Sequence, residues 1–250
     1  MAAVLETKNL DKRFGGIVAA NAISLAIEKG ARHALIGPNG AGKTTFVNLL
    51  AGVLRPSGGD ILLDGDPITR LEPHRRVRLG IARTFQINQL FADLTPVETL
   101  GLAISERRGA GRDWWRIAGS RAGITAELAE LVERFHLGDV MTERTARMPY
   151  GKQRLLEIAL AFACRPRLLL LDEPAAGVPE AERQEILAAI AALPADVTVL
   201  LIEHDMDIVF SFADRISVLV NGELFVEGAP EEVARDPRVK AVYLGEAFDA

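Results

Sequence analysis

The chain has 250 residues, 49% of them apolar and 25% charged, with a formal net charge of -5. That is enough apolar material for one or two domains with full cores, and no run of Lys or Arg supports an electrostatic nucleic-acid face. A single cysteine, Cys164, excludes an internal disulfide and fits a small buried residue in a reducing compartment.

The segment Met1 to Thr7 lacks the basic start and apolar core of a secretion signal, and no stretch reaches the roughly 18 apolar residues that span a bilayer. A partner is therefore expected to anchor the chain if it works at a membrane. Val4 to Leu10 and Ala22 to Ile27, parted by a turn at Phe14-Gly15-Gly16, read as a sheet edge or small antiparallel layer. The apolar run Ala34-Leu35-Ile36 then enters Gly37-Pro38-Asn39-Gly40-Ala41-Gly42-Lys43-Thr44, which fits the phosphate-binding pattern G-x-x-x-x-G-K-[ST] between a strand and a helix. Its glycines let successive N–H groups face phosphates, Lys43 adds a point charge, and the Thr44 hydroxyl can complete the coordination of Mg²⁺. A helix predicted from Thr44 to about Ala51, stopped by Gly52, aims its positive dipole end at the same anion. A nucleotide triphosphate is thus expected on Gly37, Pro38, Asn39, Gly40, Ala41, Gly42, Lys43, Thr44 and Thr45.

Pro56 to Gly59 punctuates the exit of that helix, Ile61 to Leu63 is a short strand, and Asp64 to Pro67 a turn. The charged cluster Pro73 to Arg78 reads as solvated helix surface, and a strand from Ile81 to Phe85 runs into Gln86. Between about Gln86 and Arg147 helical spacing takes over, in Pro96 to Leu100 and in Thr125 to Phe135, with Thr125 as the expected cap. The Arg- and Gly-rich connection between them carries Trp114-Trp115, expected to pack back on the helices. After Gly151 a helix to about Ala163, a strand Leu168 to Leu171, a helix Pro179 to Ala192 and a strand Val197 to Ile202 alternate. Apolar strands separated by helices indicate a parallel sheet covered on both faces. Arg215 to Val220, the turn Asn221-Gly222 and Glu223 to Glu227 make a hairpin, followed by a short helical tail from Pro230.

Asp172 and Glu173 end the apolar strand that begins at Leu168. Open α/β sheets present their ligand crevice at that end, so Asp172 is placed to hold Mg²⁺ through a water and Glu173 to orient and deprotonate an attacking water. Gln86 follows a strand and can bridge the metal or that water to the helical insertion. His204 follows the next strand and can reach a terminal phosphate or the oxygen held by Glu173. Taken singly, a glutamine is ordinarily polar surface and a histidine at a strand end ordinarily structural.

Met148-Pro149-Tyr150-Gly151-Lys152-Gln153-Arg154 opens a helix and completes an ordered set. Together with Gly37 to Thr44, Gln86, Asp172-Glu173 and His204 it resembles the ATP-binding subunits of ABC transporters over the whole chain. The resemblance implies an α/β fold with a P-loop (RecA-like) core of mostly parallel sheet, an N-terminal antiparallel β layer and an inserted helical subdomain. It divides the chain into a core of residues 1–85 and 151–250 and a helical subdomain of residues 86–150. It implies ATP and Mg²⁺ as ligands, with Lys43, Gln86, Glu173 and His204 catalytic and Thr44, Gln86 and Asp172 on the metal. Tyr150, Gly151 and Gln153 would touch nucleotide, and Phe14 matches the aromatic that stacks on adenine. A helix start at Gly151 offers N–H groups to an anion while the chain's own phosphates lie at Thr44, so a two-fold partner is expected to supply the second nucleotide.

Two departures mark a subgroup. Pro149 replaces the serine of the usual Leu-Ser-Gly-Gly-Gln signature, and Pro179 stands where an aspartate often ends the loop after Glu173. The strings Ile81 to Gln86, Pro149 to Arg154, Glu173 to Gly177 and Tyr243-Leu244-Gly245-Glu246 look like the ATPase subunits of branched-chain amino acid importers. That implies a peripheral protein on the cytoplasmic face of a bacterial inner membrane. Its partners would be a second ATP-binding subunit, transmembrane permease subunits and, indirectly, an extracytoplasmic solute-binding protein. The permease is expected to dock around Gln86 to Leu100, including Leu90, Phe91 and Leu94. Other classes stay open at this point: a soluble ABC-type ATPase, an importer ATPase for another small solute such as urea or amides, and a P-loop kinase or GTPase.

Overall fold

The computed structural model describes residues 3–84, 90–109 and 122–246. Gln86, Trp114 and Trp115 lie outside the described residues. In chain order the elements are β1 (Ala3–Phe14), β2 (Ile17–Glu28), β3 (Arg32–Ile36), α1 (Lys43–Ala51), β4 (Gly58–Leu63), β5 (Asp66–Pro67), α2 (Pro73–Arg78), β6 (Ile81–Arg83), α3 (Pro96–Arg107) and α4 (Ala122–Arg134). They continue as α5 (Tyr150–Ala163), β7 (Leu168–Asp172), α6 (Glu180–Ala191), β8 (Thr198–Ile202), α7 (Met206–Phe212), β9 (Arg215–Val220), β10 (Glu223–Gly228), α8 (Pro230–Arg235) and α9 (Pro237–Glu246). Contacts divide the chain into one unit of Met1–Ile81, Arg167–Glu173 and Pro194–Ala250 and a second of Ala82–Pro166 and Pro174–Leu193.

The strands form two sheets, which lie in the first unit except for Ala82 and Arg83 of β6. An antiparallel sheet runs β2-β1-β4-β5, and a second sheet runs β10-β9-β3-β8-β7-β6. Alternation along β2 buries Ala20, Ile23, Leu25 and Ile27 and leaves Ser24 and Ala26 exposed, the pattern of a sheet with one covered face. The helix α1 contributes Phe46, Val47, Leu49 and Leu50 to the same core as Leu5 and Ile61 of the antiparallel sheet and Leu35, Leu170 and Leu200 of the other. On β3 the neighbours of Leu35, Ala34 and Ile36, instead join a second core with Val209, Ile216, Val218, Val233 and Val239. The strands pairing around β3 and β8 are parallel, and burial on both faces is why they read as unbroken apolar runs. The β9–β10 pair is antiparallel, joined by Asn221 (φ 49°) and Gly222 (φ 81°), both left-handed as a two-residue hairpin turn requires. The expected α/β fold class stands.

Three local expectations are corrected, and one helix is added. Asp66 and Pro67 form β5 instead of ending a turn. Thr125 lies inside α4, with Ala122 to Ile124 before it in the helix, so it is not a cap. The helix α7, not anticipated, is started by Asp205, whose side chain accepts from the Asp207 N–H at 3.1 Å. Arg76, expected on a solvated surface, is 1% exposed. Its guanidinium donates to the carbonyls of Leu49 (2.7 Å), Leu50 (2.8 Å), Leu71 (3.0 Å) and Thr69 (3.0 Å). Two of these belong to the last turn of α1, where helix carbonyls lack intrahelical donors, and the planar fork of Arg supplies them. Burial lowers the Arg76 guanidinium to about 10, which leaves it charged at neutral pH.

His33 on β3 is buried, with its Nε2 hydrogen-bonded to Ser217 Oγ at 2.8 Å. Burial pushes the imidazole down from 6.5 to about 4. The folded state thus resists a proton that the unfolded chain accepts, so stability is full above about pH 6.5 and falls as pH drops to about 4, by up to about 3 kcal/mol. Urea unfolding of the wild type and His33→Gln across that range checks this. The wild type is expected to lose stability more steeply, and parallel pH dependences would contradict it.

In the second unit, α3 opens with a capping box between Thr95 and Glu98 and with Pro96 at its first position. Glu127 of α4 is held by Arg107 (2.7 Å), Arg108 (2.6 Å) and Arg165 (3.2 Å). The hydrogen bond from Arg107 leads in drawing the Glu127 carboxyl down to about 2. Arg107 also donates to the Ala163 carbonyl at 2.6 Å, so one side chain ties the end of α3 to α4 and to the last turn of α5.

Candidate nucleotide site

The loop between β3 and α1 is held from two sides. The Gly222 N–H donates to the Ala41 carbonyl at 2.9 Å, and the Asn21 N–H to the Gly222 carbonyl at 2.8 Å. A Cβ on Gly42, at φ 101°, would fall inside contact distance of the Ala19 carbonyl oxygen, and one on Gly37, at φ 152°, would meet that of Leu219. Glycine at both positions is therefore required by close backbone approach as well as by conformation. Lys43 Nζ donates to the carbonyl of Gly37, and to that of Pro38 at 3.0 Å, which lays the ammonium across the loop. The helix α1 has no side-chain cap and no acid in its first turn, so nothing anionic from those positions competes with a phosphate there. Thr44 is exposed and Thr45 half-buried at that helix start.

Strand register carries this loop to the acidic strand end. Ile202 of β8 is paired with Leu35 of β3 on one side and with Asp172 of β7 on the other. Neighbouring strands lie about 4.8 Å apart, so the ends of β3, β8 and β7 form one short row facing the same crevice. Asp172 is 2% exposed. Glu173 follows in left-handed backbone (φ 46°), with its N–H donating to the Ile202 carbonyl at 2.9 Å, and this turns its carboxylate away from the strand line. Glu173 Oε1 lies 3.4 Å from Nδ1 of His204. Glu203, beside it, is buried; burial pushes its carboxyl above the ordinary carboxylate range, and the His204 main chain and ring oppose that shift. The Thr44 hydroxyl and the Asp172 carboxylate are hard oxygen donors, the class that Mg²⁺ takes.

In the second unit α5 begins at Tyr150, after Pro149 in extended backbone. The Gly151 N–H, expected to be open to an anion, donates to Glu182 Oε2 of α6 at 2.8 Å. A Cβ on Gly151 would crowd the Glu182 side chain where it now stands. Lys152 bonds Glu185 at 3.0 Å, Gln153 Nε2 donates to the Met148 carbonyl at 3.0 Å, and the Arg154 guanidinium lies 5.4 Å from the Tyr150 ring centroid. Of the remaining predicted positions, Phe14 ends β1, 45% exposed, with Lys12 Nζ 4.9 Å from its ring centroid. Phe91 is exposed, and Leu90 and Leu94 are half-buried. Glu203, Glu182 and the bracing of the loop by Gly222 were not anticipated; Glu203 stands next to His204, Gly222 was read only as part of a hairpin turn, and Glu182 carries no local signal.

A family model described as ABC transporter matches residues 20–176. The chain belongs to the ABC transporter ATP-binding family. A second model, described as branched-chain amino acid ATP-binding cassette transporter, matches residues 223–249 of this cassette. The high-affinity branched-chain amino acid transport ATP-binding protein BraF of Pseudomonas aeruginosa is 40% identical over 98% of both chains. LivG of Escherichia coli, named likewise, is 39% identical over 98% of both. Among solved structures, the ADP conformation of an ATP-binding cassette of an ABC transporter superposes with a TM-score of 0.84 at 29% identity, covering 98% of this chain and 100% of that one. The cassette is accordingly an ATP-binding subunit with the ATPase activity characteristic of its family.

Proposed function

We propose that this cassette holds Mg²⁺–ATP on Gly37 to Thr45 and hydrolyses it to power an importer of branched-chain amino acids. The observation that carries the chemistry is the Glu173–His204 pair, 3.4 Å apart in the row of strand ends beside the loop. Glu173 takes the proton of the attacking water, His204 contacts the terminal phosphate, Lys43 offsets phosphate charge, and Gln86 links metal and water to the helical subdomain. Thr44 and Asp172 would hold Mg²⁺, which would supply neutralisation of charge on the phosphates. Phe14 stacks on adenine. The solute class is supported by the names of the 40% and 39% identical relatives and by the match at residues 223–249.

No described helix is long and apolar enough to cross a membrane. In this reading, which the transport ATP-binding names of the relatives support, permease subunits hold the cassette at the cytoplasmic face, with Phe91, Leu90 and Leu94 in the contact. Affinity capture of the tagged cassette from detergent-solubilised membranes is expected to bring down such subunits. Recovery of soluble partners alone would overturn the transport reading.

A second cassette supplies the α5 start that meets the terminal phosphate, through the Gly151 backbone with Tyr150 and Gln153 beside it. Glu182 then has to leave the Gly151 amide, where its carboxylate stands in the place of a phosphate oxygen. Glu182→Gln replaces a charge-assisted hydrogen bond by a weaker neutral one, so ATP should drive dimerisation at about three- to tenfold lower concentration. Light scattering during an ATP titration measures this, and an unchanged or higher half-point would count against the exchange.

A further inference from the structure

Phe14 ends β1 with its side chain close to half exposed, and its cross-strand neighbour on β2, Ile17, is 71% exposed. Lys12 stands two residues earlier on β1, a spacing that puts both side chains on one face of the strand. The Lys12 Nζ donates to the Arg55 carbonyl at 2.8 Å and lies 4.9 Å from the Phe14 ring centroid. Among the described residues it pairs with no carboxylate, so its charge is directed to a neutral oxygen and a ring. Arg55 follows the C-terminal end of α1, whereas the phosphate loop lies at the other end of this nine-residue helix, about 13 Å away. That loop is met from the β2 side, where the Ala19 carbonyl closes on Gly42. Lys12 is therefore anchored toward the end of α1 remote from the phosphates.

We propose that Lys12 is the positioning residue for Phe14. Pinned by the Arg55 carbonyl, the ammonium backs one face of the ring and leaves the opposite face to the base of the nucleotide. A half-exposed ring at a strand end has few neighbours to hold it, and a cation over one face supplies one. The cation also draws π density toward itself, which lowers the repulsion between the other face and the π cloud of a purine. Lys12 in this role serves the base and not the phosphates. The role rests on the reading of Phe14 as the residue that stacks on adenine.

Isothermal titration of the full-length cassette with ADP and with pyrophosphate, each with Mg²⁺, separates base from phosphate, because neither ligand is turned over and the second has no base. Lys12→Met, close in length and uncharged, is expected to weaken ADP binding about two- to fivefold, the scale of a cation–π contact at an exposed site, and to leave pyrophosphate binding within about 1.5-fold. Lys12→Arg is expected to keep ADP affinity near that of the wild type, since a guanidinium also sits over aromatic faces. Phe14→Ala is expected to cost about tenfold for ADP, and adding Lys12→Met to it should cost nothing more. Equal losses for ADP and pyrophosphate, an unchanged ADP affinity in Lys12→Met, no recovery in Lys12→Arg, or a loss that persists without Phe14 would each overturn the positioning role. Unchanged ADP affinity in Phe14→Ala would instead overturn the stacking reading itself, a failure recognisable because that variant keeps Lys12 in place.

Discussion

Glu173→Gln is expected to leave ATP binding intact, to slow hydrolysis by about 10²–10⁴-fold and to accumulate an ATP-bound dimer. Glutamine keeps the volume and the main-chain hydrogen bond to Ile202, so the turn after β7 survives. What it removes is the group able to accept a proton from water. The left-handed conformation of Glu173 (φ 46°) is uncommon for a residue with a Cβ, and it costs on the order of 1 kcal/mol. Such strain is tolerated here in a conformation that aims the carboxylate out of the strand toward His204. Phosphate release, nucleotide binding and light scattering on one preparation test the three parts together. Turnover equal to wild type would remove Glu173 from its proposed role.

Arg76→Ala is expected to be the most damaging substitution for folding of the nucleotide-binding unit. It takes the guanidinium away from the carbonyls of Leu49, Leu50, Leu71 and Thr69, all within 3.0 Å of it, and leaves acceptors buried without those donors. Each unsatisfied buried group costs about 1–3 kcal/mol, and partial hydration of the opened space offsets some of that, so a loss of about 3–5 kcal/mol is expected. At this chain length that corresponds to a melting temperature lower by roughly 10 °C. Because two of those carbonyls end α1, fraying there also loosens the helix that follows the Gly37 to Thr44 loop. Arg76→Lys should rescue little, since an ammonium has three donors and no planar fork. A melting temperature within about 2 °C of wild type would contradict the account.

The parts that were legible beforehand are those dictated by local backbone chemistry. Gly37 to Thr44 could be read because only a tight glycine-rich turn between a strand and a helix makes that spacing useful, and the turn of β9–β10 because Asn221-Gly222 tolerates left-handed backbone at both positions. The apolar strands β7 and β8 announced their burial on both faces. Arg76 was misread because a run of charges resembles a wet surface, and nothing local shows that one member turns inward to the end of a helix 25 or more residues earlier in the chain. Thr125 looks like a cap, while α4 already includes the three residues before it, Ala122 to Ile124. Glu182 and Gly151 are 31 residues apart, and their hydrogen bond is a product of how α5 and α6 pack. Glu203 is an acid beside a histidine at a strand end, a pairing with no distinctive spacing, and only its burial sets it apart.

In the proposed function, ATP hydrolysis at Glu173 drives uptake of branched-chain amino acids. Radiolabelled leucine uptake, in cells deleted for this cassette and complemented in turn with wild type and Glu173→Gln, tests it most directly. Uptake is expected to fall on deletion, to return with wild type and to stay absent with Glu173→Gln, with urea and amide uptake unaffected throughout. Leucine uptake that survives deletion, or that returns equally with Glu173→Gln, would contradict the claim.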